Sequence, residues 1–206
     1  MILALDTSGG ELLACLLADD LTVDASVCVP GRRHQDGILA AIEEVLGGHR
    51  EVAGLTAIAV VRGPGSQTGL RVGLAAAEGL AFASRRPLLP LSSLSVAAHR
   101  AVTDGDLLAA VSAGRSNVYV QRFRASGDER FPVGARLLCG ATAVRAQLTG
   151  DPAVQLAAEP ALVDSFGNSL PTRVNNGVQA LAAATREAAG KGIAMSYHQL
   201  AGDYGE

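Results

Sequence analysis

The segment Arg62-Gly63-Pro64-Gly65-Ser66-Gln67-Thr68-Gly69-Leu70-Arg71 sets three glycines and two hydroxyl side chains between basic residues. Glycines allow close backbone approach and unpaired amides at a helix start attract anions, so one reading of this loop is a phosphate seat. The spacing meets neither common phosphate-binding pattern: no Lys followed by Ser or Thr closes the loop, and the third glycine is misplaced for a dinucleotide fingerprint. The other reading is a structural strand-to-helix turn. A second candidate is Asp6-Thr7-Ser8. There, hydroxyls and amides could hold a phosphate oxygen and the carboxylate could order a metal-bound water, but the same residue types also make an ordinary Asx turn.

Other chemistries find little support. His34, His49, His99 and His198 include no pair three to five residues apart, the spacing that would present two ligands locally. The cysteines Cys15, Cys28 and Cys139 have no ligand spacing, and their apolar neighbours mark them as small buried hydrophobes. Gly65-Ser66-Gln67-Thr68-Gly69 is one residue too long for a nucleophile elbow. The expectation is no catalytic residue and no resident metal.

These candidates need elements to position them. Apolar runs at 2–5 and 12–17 and a near alternation of Val with Thr and Ser at 22–29 read as three adjacent strands, with Asp6-Thr7-Ser8 at the tip of the first hairpin. Ile38, Leu39, Ile42, Val45 and Leu46 predict an amphipathic helix over 33–46. A β-branched run at 55–61, the glycine loop and a helix over 69–83 complete a βββαβα half. A short run at 88–91 and a helix over 93–101 follow. Strands are expected at 107–112, 118–123 and 154–157, and helices at 141–148 and 178–189, with no internal repeat. In the 69–83 helix, small residues are interspersed with leucines around much of the circumference, more than one sheet can cover. Leu70, Arg71, Gly73, Leu74 and Ala77 are therefore expected to form a partner interface, with packing inside the chain as the alternative.

The 206 residues are 49% hydrophobic and 18% charged, enough apolar material for a full core. A net charge of −3 excludes nonspecific wrapping of a polyanion, and 3% aromatic residues leave few rings for stacking on bases. Asp6 interrupts the first apolar run early and no run approaches a bilayer-spanning length, so the expected location is the cytoplasm, away from membranes.

Taken together, Ile2-Leu3-Ala4-Leu5-Asp6-Thr7-Ser8, Gly63-Pro64-Gly65-Ser66-Gln67-Thr68-Gly69-Leu70-Arg71-Val72-Gly73 and Gly79-Leu80-Ala81 resemble the bacterial TsaB family, formerly YeaZ, relatives of the catalytic TsaD. The resemblance implies an α/β, actin-like ASKHA fold of two lobes, each a mixed β-sheet flanked by helices, here placed at 1–102 and 103–206. It implies a heterodimer with TsaD, joined by the ATPase TsaE, that forms threonylcarbamoyladenosine beside the tRNA anticodon. The tRNA would be reached only through that complex, and ATP or ADP would act at the level of the complex without a tightly held cofactor. A homodimer of the chain alone stays open. TsaD-type proteins hold a metal through closely spaced histidines, so the lack of such a pair points to a non-catalytic scaffold or activator. The alternatives are an active ASKHA ATPase and a glycoprotease-like metalloenzyme. Gln67 stands where the family usually has Phe and Ser112 where it has Asp, and the residues after Met195 lack the usual ending.

Overall fold

β1 (Ile2–Asp6) is buried at every position, because it lies in the middle of a sheet covered on both faces. A strand in that position reads as a continuous apolar run, not an alternating one. Its side chains still divide by parity: Leu3 and Leu5 enter one core, and Ile2 and Ala4 enter the other. β2 (Glu11–Leu17) runs antiparallel to β1 and β3 (Val23–Pro30) antiparallel to β2. β4 (Ala57–Gly63) and β5 (Leu88–Ser92) extend the sheet in parallel, in the order β3-β2-β1-β4-β5. The computed structural model describes residues 1–31, 34–47, 52–114, 116–151, 153–159, 162–163, 166 and 175–195. The positions of His49 and His198 lie outside these.

α1 (His34–Leu46) and α2 (Gln67–Ser84) cover the first face of the sheet. On α1 the buried stripe is Ile38, Ala41, Ile42, Val45 and Leu46; Leu39, expected in it, is 71% exposed. α2 starts two residues earlier than its apolar pattern, because the Ser66 hydroxyl caps it by accepting from the Gly69 N–H. The second face is covered by α5 (Gly177–Gly190), whose start is held by a reciprocal capping box between Asn176 and Gln179.

The second sheet has the order β8-β7-β6-β9, formed by β6 (Gly105–Gly114), β7 (Asn117–Ser126), β8 (Glu129–Gly140) and β9 (Gln155–Ala158). β6 and β7 are antiparallel, β7 and β8 are antiparallel, and β6 and β9 are parallel. This repeats the pairing pattern of β3-β2-β1-β4, a repeat the sequence does not reveal. α4 (Ala141–Gly150) packs Val144 and Leu148 under this sheet. The short α3 (Ser93–Ala98) lies between the sheets and sends Leu94, Ala97 and Ala98 into a core with Leu107, Ala109 and Phe123. Buried Arg130 donates to the carbonyls of Ala98 and Ala101, satisfying acceptors at the end of α3. None of the described helices is long and apolar enough to cross a membrane.

Three expectations change. Residue 102 lies in the stretch between β5 and β6, and the elements that cover the first sheet are not confined to the residues before it. α5 returns to the first sheet, and Met195 exchanges backbone hydrogen bonds of 2.8 and 2.9 Å with Leu88. His99 Nε2 lies 2.8 Å from Glu187 Oε2, tying the end of α3 to α5. Burial works against the Glu187 charge, but hydrogen bonds from His99 and Lys191 outweigh it and hold the carboxyl down at about 2. The cysteines also divide: Cys15 is buried, Cys28 is exposed on the edge strand β3, and Cys139 is partly exposed.

The third change concerns α2. Gly73, Leu74 and Ala77, expected at a partner interface, are buried in this chain's own core, Leu74 at 4% exposure among α1, β1 and β4 side chains. Only Arg71 of that set is exposed, and Leu70 is half-buried. Leu74→Asp should therefore cost several kcal/mol of stability, since it buries a carboxylate in an apolar core. Chemical denaturation of the purified variant checks this: an unfolded or strongly destabilised protein is expected.

Candidate functional site

The two candidate segments, far apart in sequence, meet at the carboxyl ends of β1 and β4, the place where open α/β sheets tend to hold ligands. Asp6 ends β1, and its Oδ1 accepts from both the Ser8 N–H (2.8 Å) and the Ser8 hydroxyl (2.7 Å). That is an Asx turn. Thr7 is 1% exposed and its hydroxyl donates to the Gly69 carbonyl at 2.7 Å. Ser66 N–H donates to the Ser8 carbonyl at 3.0 Å, and the Ser93 hydroxyl donates to the Pro64 carbonyl.

The glycine loop is thus folded down onto the hairpin tip, and the fit depends on two missing side chains. A β-carbon on Gly73 would stand 2.3 Å from Thr7 Oγ1, and one on Gly65 would stand 2.7 Å from the Ser8 carbonyl oxygen. Gly63, Pro64 and Gly65 form the descending part, with a cis peptide between Gly63 and Pro64. Arg62, Gln67, Thr68 and Arg71 reach the surface.

The hydroxyls of Thr7, Ser8 and Ser66, which the sequence offers to a phosphate, are engaged within the fold. Gly10 N–H is taken as well, by Glu159 Oε2 at 3.4 Å. Glu159 directly follows β9, so a carboxylate from the second sheet reaches the turn of the first. Burial raises the Glu159 carboxyl above its ordinary range and Asp6 raises it further, against the opposing effects of Arg100 and the Gly10 amide. Arg100 is buried and contacts Glu11 at 3.4 Å. Sequence reasoning missed both Glu159 and Arg100. The available signal was a single acidic residue directly after the apolar run 154–158.

Ser112, weighed as a polar position of the second sheet, accepts from the Gly114 N–H at 3.3 Å and is exposed, a local turn contact. No group of three potential metal-ligating side chains stands together among the described residues. Burial pushes the Cys15 thiol up to about 12. A thiol so far from ionisation is a poor nucleophile.

With this geometry in place, comparison with known proteins locates the chain. The family model described as TsaD, tRNA N6-adenosine threonylcarbamoyltransferase, matches residues 28–198. The tRNA threonylcarbamoyladenosine biosynthesis protein TsaB of Escherichia coli is 34% identical over 122 residues, covering 57% of this chain and 52% of that protein. The chain thus spans about half the length of the curated relatives it matches. YeaZ from Pseudomonas aeruginosa superimposes with a TM-score of 0.80 at 25% identity, covering 97% of this chain and 96% of that one. The ethanolamine utilization protein EutJ from Carboxydothermus hydrogenoformans shares the fold alone, with a TM-score of 0.51 at 10% identity over 88% of each chain. The two-lobed, actin-like ASKHA architecture expected from the sequence is the observed one.

The closeness of α2 to the hairpin tip makes opposite outcomes for one substitution at two positions. Gly79 lies on the outer side of α2, where a β-carbon would meet nothing within 4 Å. Gly79→Ala should therefore stabilise the protein by up to about 1 kcal/mol through helix propensity. Gly73→Ala should destabilise it by about 1–3 kcal/mol, because the methyl displaces Thr7 and leaves its buried hydroxyl without the Gly69 carbonyl. Urea titration of the two variants beside the parent protein reads both signs.

Proposed function

The chain belongs to the TsaD family and is a TsaB-type member of it, and from that premise we propose that it is a non-catalytic scaffold and activator for TsaD. In this reading it acts with TsaD and the ATPase TsaE in the formation of threonylcarbamoyladenosine in tRNA. It reaches tRNA only through them, and nucleotide is handled by the complex. One observation carries the non-catalytic assignment: the hydroxyls a phosphate would require, on Thr7 and Ser8, are spent on Gly69 and Asp6. An active ATPase needs such donors free for its substrate.

The partner surface in this reading is the outer side of α2, displaced around the helix from the buried set. Arg71, Ala75, Gly79 and Phe82 are exposed there at helical spacing, with Phe82 65% exposed. Leu39, the outlying apolar residue of α1, adds a second exposed anchor on the layer that α1 and α2 share. Small residues let a partner helix come close, and an aromatic anchor beside them supplies buried area. The outer side of α2 thus answers the puzzle of a helix that is small or apolar around most of its circumference.

Gly79→Leu separates packing within the chain from packing against a partner. In the isolated chain it should keep or raise the unfolding midpoint, since nothing stands near Gly79. Against TsaD it should weaken binding at least about tenfold, as should Phe82→Asp. Titration calorimetry of each folded variant with TsaD measures this, and unchanged affinity in both would remove α2 from the interface.

A further inference from the structure

Glu159 is an expensive residue in an odd place. Its carboxylate stands on the α-carbon of Gly9: a β-carbon there would lie 1.6 Å from Oε1 and 2.6 Å from the carboxyl carbon. It accepts from the Gly10 amide, 149 positions away in sequence and on the other sheet. A side chain held this way closes the space over the β1–β2 turn, between the end of β9 and the hairpin tip. The charged groups that face it are Asp6 at the end of β1, Glu11 at the start of β2 and Arg100 after α3. Two of the three are negative.

We propose that Glu159 is a proton-operated latch between the two sheets, which holds β9 to the β1–β2 turn when its carboxyl is neutral and releases that turn when it ionises. Asp6 and burial both oppose a second negative charge at this point, while Arg100 and the Gly10 amide offset them only in part. In the released state the carboxylate regains water and the Gly10 N–H loses its acceptor. The folded carboxyl thus binds its proton more tightly than the unfolded one. Its stabilising contribution is complete below the ordinary value of about 4.5 and is lost as pH rises through the raised folded value. The inference concerns the opening of the turn that carries Asp6, Thr7 and Ser8 and is independent of which partner the chain serves.

Two variants hold the latch in its two states. Glu159→Gln keeps the shape and the acceptor oxygen but cannot ionise, so it stays latched. Gly9→Ala displaces the end of a flexible side chain and leaves the turn unlatched at every pH. Amide hydrogen exchange at Gly10, read as a protection factor to remove the intrinsic pH dependence of exchange, reports the latch directly. In the parent chain, protection should be highest below about pH 4.5 and should fall as pH rises through the raised folded value. It should stay high throughout in Glu159→Gln and low throughout in Gly9→Ala. Glu159→Gln should also unfold at a higher temperature than the parent chain at about pH 8. A flat profile in the parent chain, or the same decline in Glu159→Gln, overturns the latch. So does full protection in Gly9→Ala.

Discussion

Thr7 sits so close to the axis of α2 that a single methyl at Gly73 would strike its hydroxyl, and the order of the first lobe follows from that approach. The hydrogen bond from Thr7 to the Gly69 carbonyl and the one from Ser66 to the Ser8 carbonyl draw the glycine loop onto the hairpin tip. With the loop drawn down, α2 can start only at Ser66 and must run over β1 and β4, where Leu74 and Ala77 fill the space above the sheet. The glycine-rich motif is therefore a tight joint between a turn and a helix, made by the Thr7 hydroxyl on the Gly69 carbonyl and the Ser66 amide on the Ser8 carbonyl.

Much of this was legible in the sequence. β1, β2, β4 and β5 and the helices α1 and α2 announce themselves through apolar runs and a 3.6-residue period, because strands buried on both faces leave little room for polar side chains. The exposed edge strand β3 shows only an alternation of Val with polar residues. β8 was not legible. It is an edge strand exposed along most of its length, so it lacks the alternation that burial imposes. The position of α5 was hidden for another reason: periodicity reveals that a helix forms, and says nothing about which of two sheets receives it.

The site divides in the same way. Asp6, Thr7 and Ser8 and the loop from Arg62 to Gly69 stand out by residue type, and their meeting follows once β1 and β4 are neighbours. Glu159 and Arg100 do not stand out, since single charged residues far apart in sequence carry no pattern. On α2 the sequence assigned Leu74 to a partner contact, whereas it packs inside the chain. Leu74 faces inward because the core needs its volume, and the outward side is left to alanine, glycine and Phe82.

The return of α5 to the first sheet sets a timetable for the newly made protein. The faces of β1, β2 and β4 that carry Ile2, Ala4, Leu13, Cys15, Ala59 and Val61 stay bare until Ala180, Leu181 and Ala184 leave the ribosome. At about 5–20 residues per second, the wait over the roughly 100 residues from the end of α2 to Ala184 lasts about five to twenty seconds. During it, the nascent chain carries a half-covered sheet with α1 and α2 on one side and open hydrocarbon on the other. The second lobe is synthesised in that interval, so the half that begins first is completed last.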